Sequence, residues 1–225
     1  MSPSPPSDAA LKGDGTVKEK GTAWAVAGVF VALTAVAGCG RLLNEGGGRS
    51  PSAETESYAT LDGLLAAGEW EQAQDETARL MVETAGRAEA GYLVSADIEA
   101  FPCEDLRAID GLWAKHSGNR FGFAAQTDAY RRAGGTADGS LDEEQWEQFA
   151  GDVGWRDGKR WASLSGWGMA PDDLFPLTFD IAAPPGHLPV IRTEEVWATS
   201  LFHTVMREDI STLARRAIAC GLSGR

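Results

Sequence analysis

The sequence has 225 residues, enough for one ordinary domain with short extensions. It contains 33 Asp and Glu against 20 Lys and Arg, a formal net charge of −13. Phosphate recognition needs clustered positive charge, so nucleic acid is not an expected partner, and an anionic small molecule can bind only where local arginines reverse the field.

Residues 1–22 carry too little apolar surface to fold and are expected to be disordered. Residues 23–39 follow, with an uncharged run from Ala23 to Gly38 that is 16 residues long. A transmembrane helix needs about 20 apolar residues and a signal-peptide core about 7–15, so two interpretations are favoured over a third, a soluble buried helix. The segment is an uncleaved membrane anchor, or it is a lipoprotein signal in which Val36–Cys39 resembles the cleavage box and Cys39 is lipidated. Both predict a location at the cell membrane, on an undecided side.

Residues 40–57 are rich in Gly, Ser and Glu and are predicted to be a flexible linker. From residue 58 to residue 222, apolar side chains recur at helical spacing. One such face consists of Trp70, Ala73, Thr77, Leu80, Met81, Thr84 and Ala88. No strictly alternating segment reaches the length of a strand, so we predict an all-α domain over 58–222.

Three helix boundaries are predicted from local chemistry. Pro102 followed by the acidic pair Glu104–Asp105 suits the first turn of a helix. Ser140 and Glu143 have the spacing of a capping box. Gly221 ends the last segment of helical periodicity.

The three cysteines, Cys39, Cys103 and Cys220, show neither CxxC nor metal-ligand spacing with histidine. Structural zinc and a disulfide framework are therefore not expected. A nucleophilic role for Cys103 requires a nearby base, and the acidic residues that follow it raise a thiol pKa. We favour a buried structural cysteine at this position.

Other groups with catalytic potential have simpler interpretations. Glu104, Asp105 and Asp110 share one helix, where caps and ion pairs are commoner than a catalytic carboxylate pair. His187 lies in the turn APPGHLP, where we favour a hydrogen-bonded turn residue over a metal ligand. The chain is therefore predicted not to be an enzyme.

Phe121 and Phe123 stand out because they lie with Arg120 in the glycine-broken loop NRFGF. Loops rarely bury all their aromatic rings, so we expect these rings to be held near the surface. The same combination of ring and guanidinium recurs further along at Arg192, Trp197, Phe202 and Arg207. An apolar concave surface with a few positive groups suits a large flat ligand that bears carboxylates.

Three long motifs, FPCEDLRAIDGLWAKHSGNRFGF, WEQFAGDVGWRDGKRW and LTFDIAAPPGHLP, closely resemble the core domain of the genomes-uncoupled-four tetrapyrrole-binding family. The segment LLAAGEWEQAQDETARLM resembles its opening helices, so the resemblance covers about residues 60–189 and, more loosely, the terminal helix. It implies an all-helical fold shaped like a cupped hand, whose apolar palm binds protoporphyrin and magnesium protoporphyrin. Members are not known as enzymes. Those of phototrophs stimulate magnesium chelatase, which makes a chelatase subunit a possible partner.

The resemblance also implies a binding site for a porphyrin, either protoporphyrin IX or a metal porphyrin. Phe123 matches a palm phenylalanine, and Phe121 lies beside it. The nearest equivalents of the other family contacts are Arg192, Trp197, Phe202 and Arg207. In this interpretation the rings cover one face of the macrocycle, and arginines that include Arg120 pair with its propionates.

Three features depart from the family pattern. The segment Ser165–Pro176 is an insertion, the loop after HLP differs in sequence, and a membrane segment stands where phototroph members often have a helical N-terminal domain. A chelatase partner therefore cannot be assumed, and it is excluded if the domain faces outside the cell. The alternative function is a protein-interaction module that reuses the fold without binding a tetrapyrrole.

Overall fold

The computed structural model describes residues 51–163, 174–191, 193 and 202–222, and within these ranges the side chains of 51–57, 163, 174 and 202–205 are not described. The predicted anchor 23–39 with Cys39, and also Arg192 and Trp197, lie outside the described residues. Among the helices that are described, none is both long and apolar enough to cross a membrane.

The described part of the chain is a mostly helical, compact domain. Its helices are α1 (Pro51–Ala67), α2 (Trp70–Thr84), α3 (Ser95–Ala100), α4 (Cys103–Ser117), α5 (Phe123–Arg132), α6 (Glu143–Asp152) and α7 (Phe202–Ala219). Helix α1 begins inside the predicted linker 40–57, so helical structure starts earlier than expected. Helix α1 packs on α2 and α4, while α7 packs on α3 and α5.

The helix boundaries follow local chemistry, with one shift. Helix α4 begins directly after Pro102, as predicted, with acidic residues in its first turn. The capping box of α6 is formed by Asp142 and Gln145, so the predicted pair, Ser140 and Glu143, lies two residues too early. The Asp142 carboxylate accepts a hydrogen bond from the Gln145 backbone at 2.9 Å, and the Gln145 side chain accepts one from the Asp142 backbone at 3.0 Å.

A small sheet interrupts the helical pattern, and the prediction of a purely α domain is wrong in this respect. Strands β1 (Arg156–Asp157) and β2 (Arg160–Ser163) pair antiparallel, and β3 (Leu174–Pro176) lies parallel to β2. Strands of two to four residues are too short to show alternation in a sequence. Strand β3 is the end of the predicted insertion Ser165–Pro176.

The core consists of large rings between the helices. The bulkiest fully buried aromatic side chains are Trp113, Trp146, Tyr130, Phe101, Phe121, Phe123 and Phe149. The predicted face of α2 turns Ala73, Thr77 and Leu80 inward, and the helix ends at Thr84. Helical periodicity therefore predicts correctly which side of this helix is buried.

A disulfide joins Cys103, the first residue of α4, to Cys220, the residue after α7, with their Cα atoms 5.1 Å apart. The expectation that disulfides are absent and that Cys103 is a free cysteine is therefore wrong. The two residues are separated by 117 positions, so no local spacing indicates the pairing. Two hydrogen bonds span the same junction: Arg107 Nη1 donates to the Cys220 carbonyl at 2.9 Å, and Arg216 Nε donates to that of Phe101 at 2.7 Å.

Candidate functional site

The NRFGF turn, residues 119–123, connects α4 to α5 and buries both of its rings. Phe121 and Phe123 are each 1% exposed. The ring of Phe121 meets Trp70 and Trp113 edge-on, with centroid distances of 5.5 and 6.2 Å. Phe123 is the first residue of α5. The prediction that the turn holds these rings near the surface is therefore wrong.

The backbone of the turn is fixed by side chains of α4. Ser117 Oγ donates to the carbonyl of Trp113 at 2.7 Å and accepts from the Phe121 amide at 2.9 Å. Gly118 and Asn119 both have left-handed backbones, with φ of 63° and 64°, and so end α4 sharply. Buried Phe121 therefore belongs to a structured turn in which the backbone amides from Asn119 to Gly122 all have partners.

Asp110 connects this turn to the start of α5. It is completely buried, and its Oδ1 accepts a hydrogen bond from the Ala124 amide at 2.8 Å. This oxygen lies 2.6 Å from where a Cβ on Gly122 would be, and Gly122 has φ of 114°. Only glycine combines this φ with such a close approach, so the second glycine of the motif is a structural requirement.

The turn is docked on the segment APPGHLP by two backbone hydrogen bonds. The amide of Gly122 donates to the carbonyl of Leu188 at 2.9 Å, and the amide of Gly186 donates to that of Arg120 at 2.8 Å. The two motifs of the family resemblance, NRFGF and HLP, are therefore neighbours in space, although they are far apart in the sequence.

His187 holds the APPGHLP segment against the rest of the domain. Its Nδ1 donates to the carbonyl of Val153 at 2.7 Å, and its Nε2 accepts from the amide of Thr178 at 3.2 Å. Burial lowers the pKa of His187, so the neutral ring is favoured. Both ring nitrogens are occupied, which confirms the hydrogen-bonded turn histidine and leaves no free lone pair for a metal.

Two buried glutamines, which the sequence analysis did not identify, clamp the chain after His187. Gln74 on α2 donates to the carbonyl of Val190 at 2.5 Å and accepts from its amide at 2.7 Å. Gln126 on α5 donates to the carbonyl of Pro189 at 2.6 Å. Gln74 directly follows Ala73 on the apolar face of α2, and this position could have indicated that its side chain is buried. The chain is therefore threaded between these two helices.

The two ends of the segment from residue 193 to residue 209 are tied together. Thr193 forms a parallel bridge with Leu93, and its side chain also hydrogen-bonds Asp209. Asp209 Oδ1 accepts from Ser95 Oγ at 2.7 Å, and burial raises the pKa of Asp209 despite these bonds. The chain between these two residues, which contains the predicted site residues Trp197, Phe202 and Arg207, thus starts and ends at fixed points of the fold.

The positions of the other predicted site residues, Arg120, Arg207 and Phe202, are described only in part. Arg120 is half-buried in the turn and forms no ion pair with a described residue. Arg207 pairs with Glu143 at 2.9 Å. Phe202 is the first residue of α7, and its side chain lies outside the described ones. Among the predicted site residues whose side chains are described, the structure therefore brings together only those of the turn.

A second group of rings and guanidiniums, which was not predicted as a site, lies on the small sheet. Trp161 stacks on Trp146 with a centroid distance of 5.8 Å, and the Arg156 guanidinium lies 5.6 Å from the centre of its ring. Arg160 lies at the same distance, 5.6 Å, from the ring centre of Phe175. The Asp-Gly dipeptide at 157–158 is the hairpin signal that could have located this group.

A cavity of about 330 Å³ is lined by α2 and the segment that follows it, and no residue of the turn lines it. Its lining residues are Asp75, Ala78, Arg79, Val82, Glu83, Ala88 and Gly91. Arg79 already pairs with Glu76 at 2.6 Å and with Glu83 at 2.7 Å. The lining is therefore unsuited to a ligand that carries carboxylates.

Comparison with known proteins agrees with the resemblance seen in the sequence. A family model described as GUN4-like matches residues 51–206. The chain is 28% identical over 142 residues to a Ycf53-like protein of Synechocystis, covering 62% of this chain and 53% of that protein. It is 38% identical over 71 residues to a chloroplastic tetrapyrrole-binding protein of Arabidopsis thaliana, covering 31% and 27%. The chain thus spans about half or less of the length of these relatives.

A solved structure also aligns with the chain: the ligand-free structure of Arabidopsis thaliana GUN4, with a TM-score of 0.49 and 22% sequence identity. The alignment covers 69% of this chain and 91% of that one. Because the family model matches well over half of the 225 residues, the chain belongs to the GUN4-like family.

Proposed function

We propose that the chain is a non-catalytic tetrapyrrole-binding protein that carries or senses a porphyrin, either protoporphyrin IX or a metal porphyrin. The observation that carries this proposal is the match of residues 51–206 to the GUN4-like family. The similarity to a tetrapyrrole-binding protein of Arabidopsis thaliana supports it.

The state of the candidate catalytic groups supports a binding role over an enzymatic one. Cys103 is bonded to Cys220 and so offers no free thiolate. Asp105 accepts a hydrogen bond from Tyr58, and Asp110 accepts one from Ala124. These carboxylates stabilise the fold at the ends of helices.

We place the ligand against the surface formed by the NRFGF turn and the segment after His187. Arg120 supplies a guanidinium there on a protein whose net charge is −13. In this proposal Phe121 and Phe123 do not contact the ligand. Their buried rings hold the turn that carries Arg120 in place. The groups proposed to contact the macrocycle directly are Trp197, Phe202, Arg192 and Arg207.

A titration with protoporphyrin tests this function. The unit Gly47–Arg225 is followed by tryptophan fluorescence, since Trp70 and Trp113 lie against the turn. We expect saturable quenching. Arg120→Gln should weaken binding by about two- to ten-fold, the range of a partly exposed charge-assisted pair. Arg131→Gln, at the exposed end of α5, is the matched control and should not change affinity.

Two results would contradict the proposal. Quenching that does not saturate means that no site exists. Equal affinities for Arg120→Gln and Arg131→Gln place any site elsewhere. If porphyrin does not bind but the unit captures a protein partner, the interaction-module alternative is supported instead.

We also propose that residues 23–39 hold the protein at the cell membrane. The support is the uncharged run of 16 residues and the sequence around Cys39. Metabolic labelling with a radioactive fatty acid separates the two forms of attachment. Label that is lost in Cys39→Ser identifies a lipoprotein, whereas membrane association without label identifies an uncleaved helix. A chain that fractionates away from membranes contradicts both.

A further inference from the structure

The disulfide between Cys103 and Cys220 carries information about where the domain functions. The Cα separation of 5.1 Å lies within the range that a disulfide spans, which is about 4.4–6.8 Å. Disulfides form and persist in secreted, periplasmic and cell-surface proteins, and they are rare in the reducing cytosol. A bridge in this protein is therefore an indicator of its compartment.

The surroundings of the bridge are those of a structural disulfide. Cys220 is 3% exposed, and its carbonyl accepts the hydrogen bond from Arg107. Arg216 holds the other side of the junction through the carbonyl of Phe101. The bridge thus fastens the end of the last helix to the start of α4, which carries buried Trp113 in the core. Labile regulatory disulfides are typically strained or exposed, whereas this one joins a buried cysteine, Cys220, to a half-buried one, Cys103.

An independent feature of the sequence allows the same placement. The uncharged run that ends at Cys39 has the form of an export signal or a membrane anchor in either of its two interpretations. A lipoprotein signal carries the domain across the membrane, and an uncleaved anchor allows a domain that faces outward.

We propose that the folded domain works on the outer, oxidising side of the cell membrane, held there by residues 23–39, and that the Cys103–Cys220 bridge forms there. In that step two thiols lose two protons and two electrons to a disulfide of an exported thiol oxidoreductase, which is released as a dithiol. The placement does not depend on the ligand. The consequence for the ligand rests on the proposed function: the tetrapyrrole is one outside the membrane, and a chelatase inside the cell is not the partner.

The redox state in cells tests the first half of the proposal. Bacteria that express the full chain are quenched in acid, and free thiols are alkylated under denaturing conditions with a maleimide that adds a visible mass. We expect Cys103 and Cys220 to react only after reduction, so that reduction adds two labels. Cys39 adds at most one label before reduction. Labelling of all bridge thiols without reduction overturns the proposal.

A chain that lacks residues 1–39 is the matched control. It keeps Cys103 and Cys220 but has no export segment, so both thiols should be labelled without reduction. If this control is also fully bridged, the disulfide no longer reports on the compartment, and the proposal loses its argument.

Protease added to intact spheroplasts tests the second half. The domain should be digested while a cytosolic marker stays intact. A domain that is protected until the cells are lysed overturns the outward placement even if the bridge is present. A positive porphyrin titration together with a protected domain contradicts only the placement, and a negative titration with a digested domain contradicts only the proposed function.

The double variant Cys103→Ser/Cys220→Ser shows whether the bridge is structural. Its melting temperature should fall by roughly 5–15 °C, as expected for loss of a native bridge in a domain of this size. If the variant is too unstable to purify, the oxidised protein is compared with and without reductant, and the same fall is expected. An unchanged melting temperature in both comparisons shows that the bridge does not stabilise the fold, which contradicts a structural role.

Discussion

Two regions of the domain combine aromatic rings with arginines on glycine-containing turns, yet they bury the rings to different extents. The NRFGF turn buries Phe121 completely, whereas the small sheet leaves Trp161 and Phe175 only partly buried beneath guanidinium groups. The turn lies against helices that supply Trp70 and Trp113. Strands of two to four residues offer no such cover. The elements that pack against a loop therefore determine whether its aromatic rings are buried.

The largest expected effect is the loss of the ring that the turn buries. Phe121→Ala removes a fully buried ring from between two tryptophans and should lower the free energy of unfolding by about 3–5 kcal/mol. Phe175→Ala, on the sheet, should cost less than about 1.5 kcal/mol, because the ring is only partly buried. Urea unfolding measures both. Equal losses in the two variants would show that the regions are packed alike.

The glycines of the two turns provide the next comparison. Gly122 and Gly158 both have positive φ, but a Cβ at Gly122 would lie 2.6 Å from Asp110 Oδ1, while a Cβ at Gly158 would meet nothing within 4 Å. Gly122→Ala therefore adds a steric clash to backbone strain, and we expect a loss of about 2–4 kcal/mol. Gly158→Ala should cost about 1 kcal/mol. A Gly122→Ala protein as stable as Gly158→Ala contradicts the tight packing of the turn.

The sequence predicted the features that depend on neighbours along the chain. The inward face of α2 and the start of α4 after Pro102 follow from periodicity and from the chemistry of a first turn. The family motifs were also visible, because their residues are contiguous. These features require only short segments of sequence.

Features that depend on distant neighbours were missed or predicted wrongly. Gln74 meets Val190 across 116 positions, and Cys103 meets Cys220 across 117. The burial of Phe121 depends on Trp70, which lies on another helix. A loop with glycine and two phenylalanines has the same local pattern whether or not a helix covers it, so the pattern could not predict which rings are buried.

The attachment of the turn to the APPGHLP segment should depend on pH. Burial lowers the folded-state pKa of His187 below its ordinary value of 6.5. Its contribution to stability is therefore fully present above the unfolded-state pKa and is lost as the pH falls through the lowered folded-state pKa. Each unit of lowering corresponds to about 1.4 kcal/mol.

Unfolding measured between about pH 8 and about pH 5 tests this dependence. His187→Gln should be less stable than the parent at the higher pH and should lose less stability on acidification. His116 bonds Asp62 between α4 and α1, so His116→Gln is the control for a histidine outside the docked segment. If the parent and His187→Gln lose stability in parallel, His187 does not titrate as its burial predicts.

The smallest expected effect concerns the guanidinium on the sheet. The Arg160 side chain is 49% exposed, pairs with Asp157 and lies over Phe175. Arg160→Ala should lower the free energy of unfolding by about 0.5–1 kcal/mol, because a cation–π contact in water is weak and the ion pair is screened. A double-mutant cycle with Phe175→Leu isolates the ring contact, and we expect a coupling of about 0.5 kcal/mol. A coupling above about 2 kcal/mol is typical of a desolvated pair. That result would mean that the sheet covers this ring as completely as the helices cover Phe121, and the contrast between the two regions would no longer hold.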